Sequence, residues 1–448
     1  MVVGERTPTR RLTAALVPGA RAAPALRRSG RDHGPMASAH PSELPARLAA
    51  LPAGRAVLDA AAGGDADVYV VGGAIRDLLL GGAPLDLDLV VVGDVSVLAA
   101  RLGDPGGGER AHDRFGTATV QGAGGVRYDL AQARRESYAR PGALPDVEPA
   151  GIRDDLARRD FTVNALALGV SGADAGRLVA APDALEDLAA GRLRVLHPRS
   201  FADDPTRLLR LARYAGRLGF TLEPATERFA REAVAAGAVA TVTGPRLGAE
   251  LELLAAEADP APGFAILREL GVDGALAPGF GIEDPRLLEG ARAALPPDGD
   301  PAALVLGLAV RGLAPGAARE LLDRLGVGAQ RRDAALAVGG AERIAVALAA
   351  ARRPSQVARA VGQAPPEAIT VAGELGGTGA RTRAREWLAA WRHTGLQIDG
   401  EDLIAAGVAT GPRIGAGLRA AREAKLDGEA TTREAELTVA LRAAEGGH

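Results

Sequence analysis

The chain has 448 residues, which is enough for two or more domains that each bury a substantial core. Its formal net charge of −3 gives no general attraction to nucleic acid, so any RNA binding must come from local clusters of cationic residues. The absence of cysteine excludes disulfides, thiolate zinc sites and a cysteine nucleophile.

The first 40 residues are rich in Arg, Ala and Pro and contain two acidic residues, Glu5 and Asp32. No compact apolar segment follows the arginines, so a secretory signal is not predicted. We expect a disordered extension, or an upstream start codon with Met36 as the true start; a transit-like or RNA-binding arm is the alternative. The longest apolar run elsewhere, 302–310, is too short to span a bilayer, so we expect a cytoplasmic protein without membrane contact.

Residues 68–80 read VYVVGGAIRDLLL and predict a strand, a tight turn and a helix. The strand-like run stops at Gly72 and Gly73, and a leucine-rich helical segment opens at Ala74. Two glycines at such a junction let a ligand approach the backbone closely, and the first free N–H groups of the helix favour phosphate. Arg76 would add a charge-assisted contact.

The chain then enters an extended run, LDLDLVVV at 85–92, that carries two acidic residues. Because side chains alternate along a strand, Asp86 and Asp88 fall on one face and the leucines on the other. Two carboxylates about 7 Å apart beside an apolar sheet favour a cation between them. Oxygen ligands of this kind suit Mg²⁺. Taken alone, however, a D-x-D strand is more often a solvated sheet face, and a Gly-Gly turn is usually only a turn.

Further elements follow in the first half of the chain. The sequence predicts a short helix at 95–102, a Gly-rich loop at 104–109, strands at 116–120 and 126–130, and a mobile loop at 139–151. In the second strand Asp129 shares a face with Arg127; it is either an ordinary strand-end residue or a third carboxylate beside the first two. His112-Asp113 has no further histidine at metal-binding spacing, so an appended metal-dependent phosphohydrolase is rejected.

Two later segments concentrate charged residues. The first, DDLARRDFTVNALALG at 154–169, contains Arg158, Arg159, Asp160 and Asn164. In the second, Asp204 suits the N-cap and Pro205 the first position of a helix. On that helix four arginines recur at spacings of three, three and four and form one stripe: Arg207, Arg210, Arg213 and Arg217. With little acid beside it, such a stripe suits phosphate, although a charge run is usually a solvated face.

Beyond residue 244 the sequence predicts an all-α region. Ala- and Leu-rich amphipathic segments alternate with Pro and Gly breaks, without a regular repeat. Arg246 and Glu250 lie one helical turn apart in PRLGAELELL. Near the end, a GPRIG helix start could present backbone N–H groups to an RNA phosphate, but the surrounding segment has no net positive charge.

The segments GGAIRD, D-x-D, RRDFTVNA and DDPTRLLR together resemble the motifs of the class II tRNA nucleotidyltransferase and poly(A) polymerase family, in its long bacterial CCA-adding form. The resemblance covers about 68–254, and PRLGAELELL is similar to the last neck motif. It implies an α+β fold, with a DNA polymerase beta-like nucleotidyltransferase head containing a small mixed sheet, followed by an all-α neck, body and tail. The expected boundaries are 1–40 for the disordered extension, 41–190 for the catalytic head, 191–255 for the neck with base recognition, 256–390 for the body and 391–448 for a tRNA-binding tail.

The resemblance implies addition of CCA, from CTP and ATP, to the 3′ end of tRNA by two-metal in-line phosphoryl transfer. Mg²⁺ is expected on Asp86 and Asp88, with Asp129 as the third catalytic carboxylate. The resemblance further implies that the RRDFTVNA segment reads the ribose 2′-hydroxyl and neutralises phosphate, and that Asp204 and Arg207 act as a protein template for the incoming base. The full set of expected nucleotide-binding residues is Gly72, Gly73, Arg76, Arg158, Arg159, Asp160, Asn164, Asp204, Arg207, Arg210 and Arg213.

Several alternatives remain open. A poly(A) polymerase, a CC-adding enzyme and an A-adding enzyme would share these motifs. A non-catalytic RNA-binding relative is disfavoured, because it would have no use for paired carboxylates. The segment DALEDL has Asp183 and Ala184 where the family usually has glycine, so the pattern does not support a hinge there. The sequence indicates no obligate protein partner.

Overall fold

A computed structural model describes residues 40–84, 86–103, 110–112 and 116–445. The expectations for 1–39, for 104–109 and for Asp113 lie outside these residues. The strands are β1 (Asp67–Val71), β2 (Leu87–Val92), β3 (Arg110–His112), β4 (Thr117–Gln121), β5 (Arg127–Gln132), β6 (Arg134–Ser137), β7 (Asp146–Pro149), β8 (Leu166–Gly169), β9 (Leu178–Ala180), β10 (Arg192–Leu193) and β11 (Thr221–Leu222).

Helices dominate the second half of the chain. Those before residue 256 are α1 (Leu44–Ala50), α2 (Pro52–Ala61), α3 (Gly73–Leu79), α4 (Ser96–Leu102), α5 (Ile152–Ala157), α6 (Ala184–Ala190), α7 (Ser200–Asp203), α8 (Thr206–Leu218), α9 (Pro224–Ala235) and α10 (Gly244–Ala255). Those after it are α11 (Ala261–Leu270), α12 (Val272–Leu276), α13 (Pro285–Ala294), α14 (Pro301–Val310), α15 (Pro315–Arg324), α16 (Ala329–Val338), α17 (Ala341–Ala350), α18 (Pro354–Val361), α19 (Pro366–Leu375), α20 (Gly377–Ala389), α21 (Gly400–Ala405), α22 (Pro412–Leu426) and α23 (Arg433–Glu445).

Seven strands form one mixed sheet in the order β3-β4-β5-β2-β1-β8-β9. Strands β2 and β5 run parallel, and the other neighbours in this sheet pair antiparallel. The central strands have apolar side chains on both faces, because Val70 and Leu89 belong to one buried cluster and Tyr69 and Val90 to another. Strands covered on both faces read as continuous apolar runs, as VYVV and LVVV do. The predicted α+β class with a mixed sheet is therefore confirmed.

The β1–α3 junction follows the sequence prediction closely. Strand β1 ends at Val71, and α3 begins at Gly73. Between them Gly72 has φ 69° and ψ −131°, a conformation that strongly favours glycine. The Gly72 N–H donates to the carbonyl of Leu166, the first residue of β8, at 2.9 Å, which fixes the turn to the sheet.

Helix α8 is a 13-residue amphipathic helix that packs against α10 and α11. Its buried face includes Leu208, Leu211 and Ala215, and it ends at Gly219 with φ 65°. The helix begins at Thr206 rather than at Pro205, a one-residue difference of the kind expected at helix ends.

The region from α11 to α20 is helical, as predicted. The apolar run 302–310 forms α14, in which every residue from Ala302 to Val310 is buried. It is therefore a central core helix. No helix in the described part of the chain is long and apolar enough to cross a membrane. The last helices, α21 to α23, enclose a separate small cluster that includes Ile398, Leu403 and Ala440.

Two local expectations need correction, and one departure from the family pattern has a backbone explanation. The segment 139–151 is more than a loop, because it contains β7, which pairs with β6 in a two-stranded hairpin. Asp86 precedes β2 and is not part of it. Asp183, at the position where glycine was expected, has φ 62° and is the only non-glycine residue with positive φ among those described. Aspartate tolerates this left-handed conformation better than most residues, so it takes up the geometry of the missing glycine.

Candidate active site

An open cleft of about 400 Å³ collects most of the predicted site residues. Ten of the fourteen predicted residues line it, and the other four, Arg76, Asp86, Asp129 and Arg213, lie around it. The lining consists of Gly72, Gly73, Asp88, Arg134, Glu136, Tyr138, Pro145, Arg158, Arg159, Asp160, Asn164, Asp204, Arg207, Arg210, Tyr214 and Arg246. The β1–α3 turn, the β6–β7 hairpin, the segment 158–164 and the start of α8 thus share one space.

Parallel pairing of β2 with β5 brings two of the predicted carboxylates side by side. Asp88 and Asp129 are register partners, and Asp86 lies two residues before Asp88. Desolvation by the cleft walls raises the pKa of Asp88 above its usual range, although its carboxylate opens toward solvent. The Arg159 guanidinium opposes this shift, while the Asp129 and Asp86 carboxylates add to it.

The three carboxylates differ in how far they are already neutralised. Asp129 accepts hydrogen bonds from the Thr119 hydroxyl at 2.6 Å and from Arg127 at 3.0 Å. Asp86 and Asp88 have no hydrogen-bond or ion-pair partner within the part of the chain that the structure describes. Unneutralised carboxylates favour a cation, so their chemistry fits Mg²⁺. In this arrangement no three acidic or histidine side chains of the described residues converge closely enough to hold a metal together.

The Gly-Gly turn lies against Arg159, while Arg76 lies beneath the turn. A Cβ atom on Gly72 would approach Arg159 Nη1 to 2.9 Å and displace the end of that side chain, while the φ of 69° is what favours glycine here. The Arg76 side chain is 1% exposed; its Nη1 donates to Asn164 Oδ1 at 2.6 Å and its Nε to Asp77 Oδ1 at 2.8 Å. Its guanidinium therefore supports the turn and is not directed into the cleft.

Arg158 and Arg159 share a buried carboxylate. Asp155 is fully buried and accepts from Arg158 at 2.6 Å and from Arg159 at 3.0 Å. Arg158 also donates to Glu136 at 2.9 Å. Arg159 Nε is buried without a hydrogen-bond partner among the described residues. Of the two arginines, Arg159 thus keeps donor capacity for an anionic ligand beside Gly72.

Asp160 links this segment to α8. Its Oδ2 accepts from Arg210 at 2.7 Å, and its Oδ1 accepts from Asn164 Nδ2 at 3.0 Å and from the Phe161 N–H at 2.8 Å. Burial opposes ionisation of Asp160, but the Arg210 charge and these hydrogen bonds prevail and hold its pKa at about 2. Asp160 is therefore a permanent anion at neutral pH.

Asp204 and Arg207 both line the cleft, and each has partners within the chain. Asp204 Oδ1 accepts from the Thr206 N–H at 3.1 Å, the contact that the capping interpretation expects, and from Arg246 Nη2 at 3.0 Å. Arg207 is 5% exposed and donates to Ser200 Oγ and to the Arg158 carbonyl, both at 2.7 Å. The template role of the pair stays a prediction.

The prediction that little acid lies beside the arginine stripe is wrong, because the acids come from other elements of the fold. Arg210 contacts Glu250 at 2.8 Å in addition to Asp160. The remaining pairs are Arg213 with Glu250 at 3.2 Å and with Glu257 at 3.6 Å, and Arg217 with Asp77 at 3.6 Å. Arg207 and Arg213 are buried and Arg210 is half-buried, whereas Arg217, at the far end of the stripe, is exposed.

Comparison with known proteins supports the resemblance seen in the motifs. A profile of the poly A polymerase head domain matches residues 68–194. An A-adding tRNA nucleotidyltransferase of Halalkalibacterium halodurans is 42% identical over 209 residues, which cover 46% of this chain and 49% of that relative. A CC-adding tRNA nucleotidyltransferase of Deinococcus radiodurans is 44% identical over 223 residues, covering 49% of this chain and 58% of the relative. The chain spans about half the length of these curated relatives.

A solved structure extends the similarity to nearly the whole chain. The apo form II of a CCA-adding enzyme superposes with a TM-score of 0.73 at 32% identity, covering 89% of this chain and 96% of the solved chain. The chain belongs to the tRNA nucleotidyltransferase and poly(A) polymerase family. Relatives with A-adding, CC-adding and CCA-adding names are all similar to this family member, so the comparison leaves its nucleotide choice open.

Several residues in this tRNA nucleotidyltransferase-family cleft were not among the predicted site residues. Arg134, Glu136 and Tyr138 alternate along β6 and just beyond it, so the period of a strand could have placed them on one face. Glu136 accepts from Arg134, Arg158 and Tyr138, each at 2.9 Å. Burial and the Glu136 charge raise the pKa of Tyr138, so it stays a neutral donor.

Tyr214, Arg246 and Pro145 complete the set of cleft residues that were not predicted. Tyr214 lies one helical turn beyond Arg210 on α8, and Arg246 lies at the start of α10. Arg246 Nη1 also donates to the Gly142 carbonyl in the β6–β7 connection at 3.1 Å. The helical spacing places Tyr214 within the arginine stripe, but no sequence signal indicates what its ring contacts.

Proposed function

We propose that this chain transfers nucleotides from CTP and ATP to the 3′ end of tRNA and builds the CCA end. The observation that carries the proposal is the Asp88–Asp129 register pair beside a cleft that Asp88 lines together with the Gly72–Gly73 turn and Arg159. The names of the similar proteins, which include A-adding, CC-adding and CCA-adding enzymes, support the reaction class. The compartment in which tRNA, CTP and ATP meet, the cytoplasm, is the expected location.

Asp86 and Asp88 would hold the Mg²⁺ ions of a two-metal site, because they are the carboxylates without neutralising partners in the described structure. When bound, Mg²⁺ lowers the pKa of the attacking 3′-hydroxyl and stabilises the leaving pyrophosphate. Asp129 would complete the acidic edge, with Thr119 and Arg127 fixing its orientation.

The triphosphate would lie against the β1–α3 turn. The N–H groups at the start of α3 and the Arg159 guanidinium, which lines the cleft, are the groups that can bind it. Gly72 allows this approach because a larger side chain would displace the Arg159 guanidinium from the turn. Arg76 would act from beneath, holding the turn through Asn164 and Asp77.

The sugar and base would extend toward α8. Asp160 and Asn164 offer an acceptor and a donor to the ribose hydroxyls, and Arg158 adds charge to that wall. At the start of α8, Asp204 and Arg207 would read the base edge, since a carboxylate accepts from the amine of C or A and a guanidinium donates to the adjacent ring nitrogen. Arg210 and Arg213 would support this end of the site through their shared contact with Glu250.

Three tRNA transcripts, ending before CCA, after the first C and after CC, distinguish the candidate activities when each nucleotide is supplied in turn. A CCA-adding enzyme extends the first two transcripts with C and the third with A. A CC-adding enzyme leaves the third unextended, an A-adding enzyme extends only the third, and a poly(A) polymerase adds A to all three. Failure of every extension in Mg²⁺ by folded protein would overturn the proposal and favour a non-catalytic RNA-binding relative.

A further inference from the structure

Six side chains form a closed ring of contacts between α8 and the β1–α3 turn. From α8, Arg210 reaches Asp160 at 2.7 Å, and Asp160 accepts from Asn164 at 3.0 Å. Arg76 connects Asn164, at 2.6 Å, to Asp77, at 2.7 Å. Arg217 returns from Asp77 to α8 at 3.6 Å. We call these residues the six-residue ring: Arg210, Asp160, Asn164, Arg76, Asp77 and Arg217.

Both ends of the six-residue ring stand on the same face of α8. Arg210 and Arg217 are seven residues apart, which is two helical turns. The middle of the ring is dry, since Arg76, Asp160 and Asn164 are at most 7% exposed. Hydrogen bonds to charged groups are stronger where water is excluded, so the buried part of the ring, from Arg210 through Asp160 and Asn164 to Arg76, ties α8 to the turn. The Arg217–Asp77 contact is longer and partly exposed and adds little.

The aromatic ring of Tyr214 lies against this network. Its centroid is 5.4 Å from Arg76 Cζ, 5.5 Å from Arg210 Cζ and 4.7 Å from Arg213 Cζ. Phe161, the residue after Asp160, meets the Tyr214 ring edge-on with centroids 6.0 Å apart and an interplanar angle of 81°. One aromatic side chain therefore contacts cations from both α3 and α8.

Three guanidinium groups this close to one another would repel if nothing lay between them. The negative face of an aromatic ring attracts cations, and the attraction increases as water is removed. Asp160, Asp77 and Glu250 form ion pairs with the same arginines. Tyr214 is thus the aromatic contact that Arg76 of α3 shares with Arg210 and Arg213 of α8.

We propose that Tyr214 is a positioning residue that sets the start of α8, with Asp204 and Arg207, relative to the Gly72–Gly73 turn. The proposal rests on the proposed function, because it assigns the base-reading end of the cleft to α8 and the triphosphate end to the turn. Loss of the aromatic ring should allow these two ends of the cleft to move relative to each other. Nucleotide selectivity should then fall more than it would from a loss of stability alone.

The test compares Tyr214→Leu with Tyr214→Phe, which keeps the aromatic face and loses the hydroxyl with its long 3.4 Å contact from Arg210 Nη2. Phe280→Leu is the matched control, since Phe280 is buried against Phe264 outside the cleft. The first measurement is hydrogen exchange of the α3 amides and the first-turn α8 amides without nucleotide. We expect exchange about ten-fold faster in Tyr214→Leu and nearly unchanged in the other two variants.

The second measurement is kcat/KM for CTP and ATP relative to UTP, at matched folded fraction. We expect selectivity to drop about ten-fold in Tyr214→Leu, mainly through KM, and to be kept in Tyr214→Phe and Phe280→Leu. Unchanged exchange and selectivity in Tyr214→Leu, or an equal loss in Tyr214→Phe, would overturn the positioning role. If the wild-type protein transfers no nucleotide, the proposed function fails, whereas the exchange measurement still decides whether Tyr214 holds the six-residue ring.

Discussion

Asp88 and Asp129 lie directly opposite each other on the parallel strands β2 and β5, yet they are in different electrostatic states. Asp129 is bonded to Thr119 and Arg127, whereas Asp88 has no such partner in the described structure. Desolvation raises the pKa of Asp88; the Arg159 charge opposes the shift, and the nearby Asp129 and Asp86 carboxylates reinforce it. Within the described structure, Asp88 therefore has the unpaired carboxylate that the proposed cation would need, and Asp129 is its neighbour with fixed partners.

Asp88→Asn should abolish nucleotide transfer and leave tRNA binding nearly unchanged, because the carboxylate serves the metal and not the RNA. Single-turnover extension in Mg²⁺ and a tRNA binding titration measure the two effects separately. Asp59→Asn, on the exposed face of α2, is the control and should behave as wild type. Substantial turnover by Asp88→Asn would remove Asp88 from the mechanism.

The raised pKa of Asp88 gives stability a defined pH dependence. A carboxyl that is protonated more readily in the folded state stabilises the fold most at low pH. This contribution is lost as the pH rises from 3.8, the usual pKa of aspartate, through the raised pKa that Asp88 has in the folded protein. Mg²⁺ should offset the loss above that window. The melting temperature should therefore rise with added Mg²⁺ near neutral pH in wild type and much less in Asp88→Asn; an equal rise in both would contradict the assignment.

Asp160→Asn should destabilise the protein by about 2 kcal/mol at pH 7, as the difference between 3.8 and about 2 for the pKa of this buried carboxyl indicates. A carboxyl whose pKa is lowered by folding contributes stability that is complete at pH values above its ordinary pKa. This stability is lost as the pH falls toward the lower pKa of the folded state. Urea denaturation at neutral pH and near pH 2 measures both conditions. The deficit of the variant should shrink in acid, and a deficit that is independent of pH would show that the ionic contact with Arg210 is not its cause.

Gly72→Ala should cost roughly 1 to 3 kcal/mol and should also raise KM for CTP and ATP. The backbone has φ 69° there, and the new Cβ would lie 2.9 Å from Arg159 Nη1. Gly63→Ala provides the matched control, since Gly63 has φ 66° and no atom within 4 Å of a built Cβ. The control should show the backbone cost with KM unchanged, and a normal KM in Gly72→Ala would exclude the turn from nucleotide binding.

Asp204→Ala and Arg207→Ala should each lower the preference for CTP and ATP over UTP and GTP by roughly ten-fold or more, if the pair reads the base. If Asp204 only supports the start of α8, its loss should cost about 1 kcal/mol of stability with unaltered selectivity. Asp284→Ala removes a helix cap of α13 outside the cleft and controls for the capping effect. An unchanged CTP/UTP ratio in both cleft variants, measured at matched folded fraction, would refute the template.

The sequence by itself determined the elements whose causes are local. A short apolar run followed by two glycines specifies β1, the turn and α3. The helical spacing of the leucines and alanines predicts α8. The run at 302–310 is apolar on all sides, so it forms the buried helix α14. The motifs also identified ten residues that line the cleft. Each motif is a short segment, so the relative positions of its residues follow from local structure.

Only the tertiary structure decided which of the charged residues in and around the cleft are neutralised by ion pairs. The acids that pair with the α8 arginines come from α3, from the segment after α5 and from α10, and the hairpin partner of β6 lies in a segment that resembled a loop. Arg76 is buried because the fold brings Asn164 to it from 88 positions away. Strand register and helix packing set such contacts. Both depend on segments that are distant in the chain, and the local sequence pattern of one segment does not indicate which other segment it will meet.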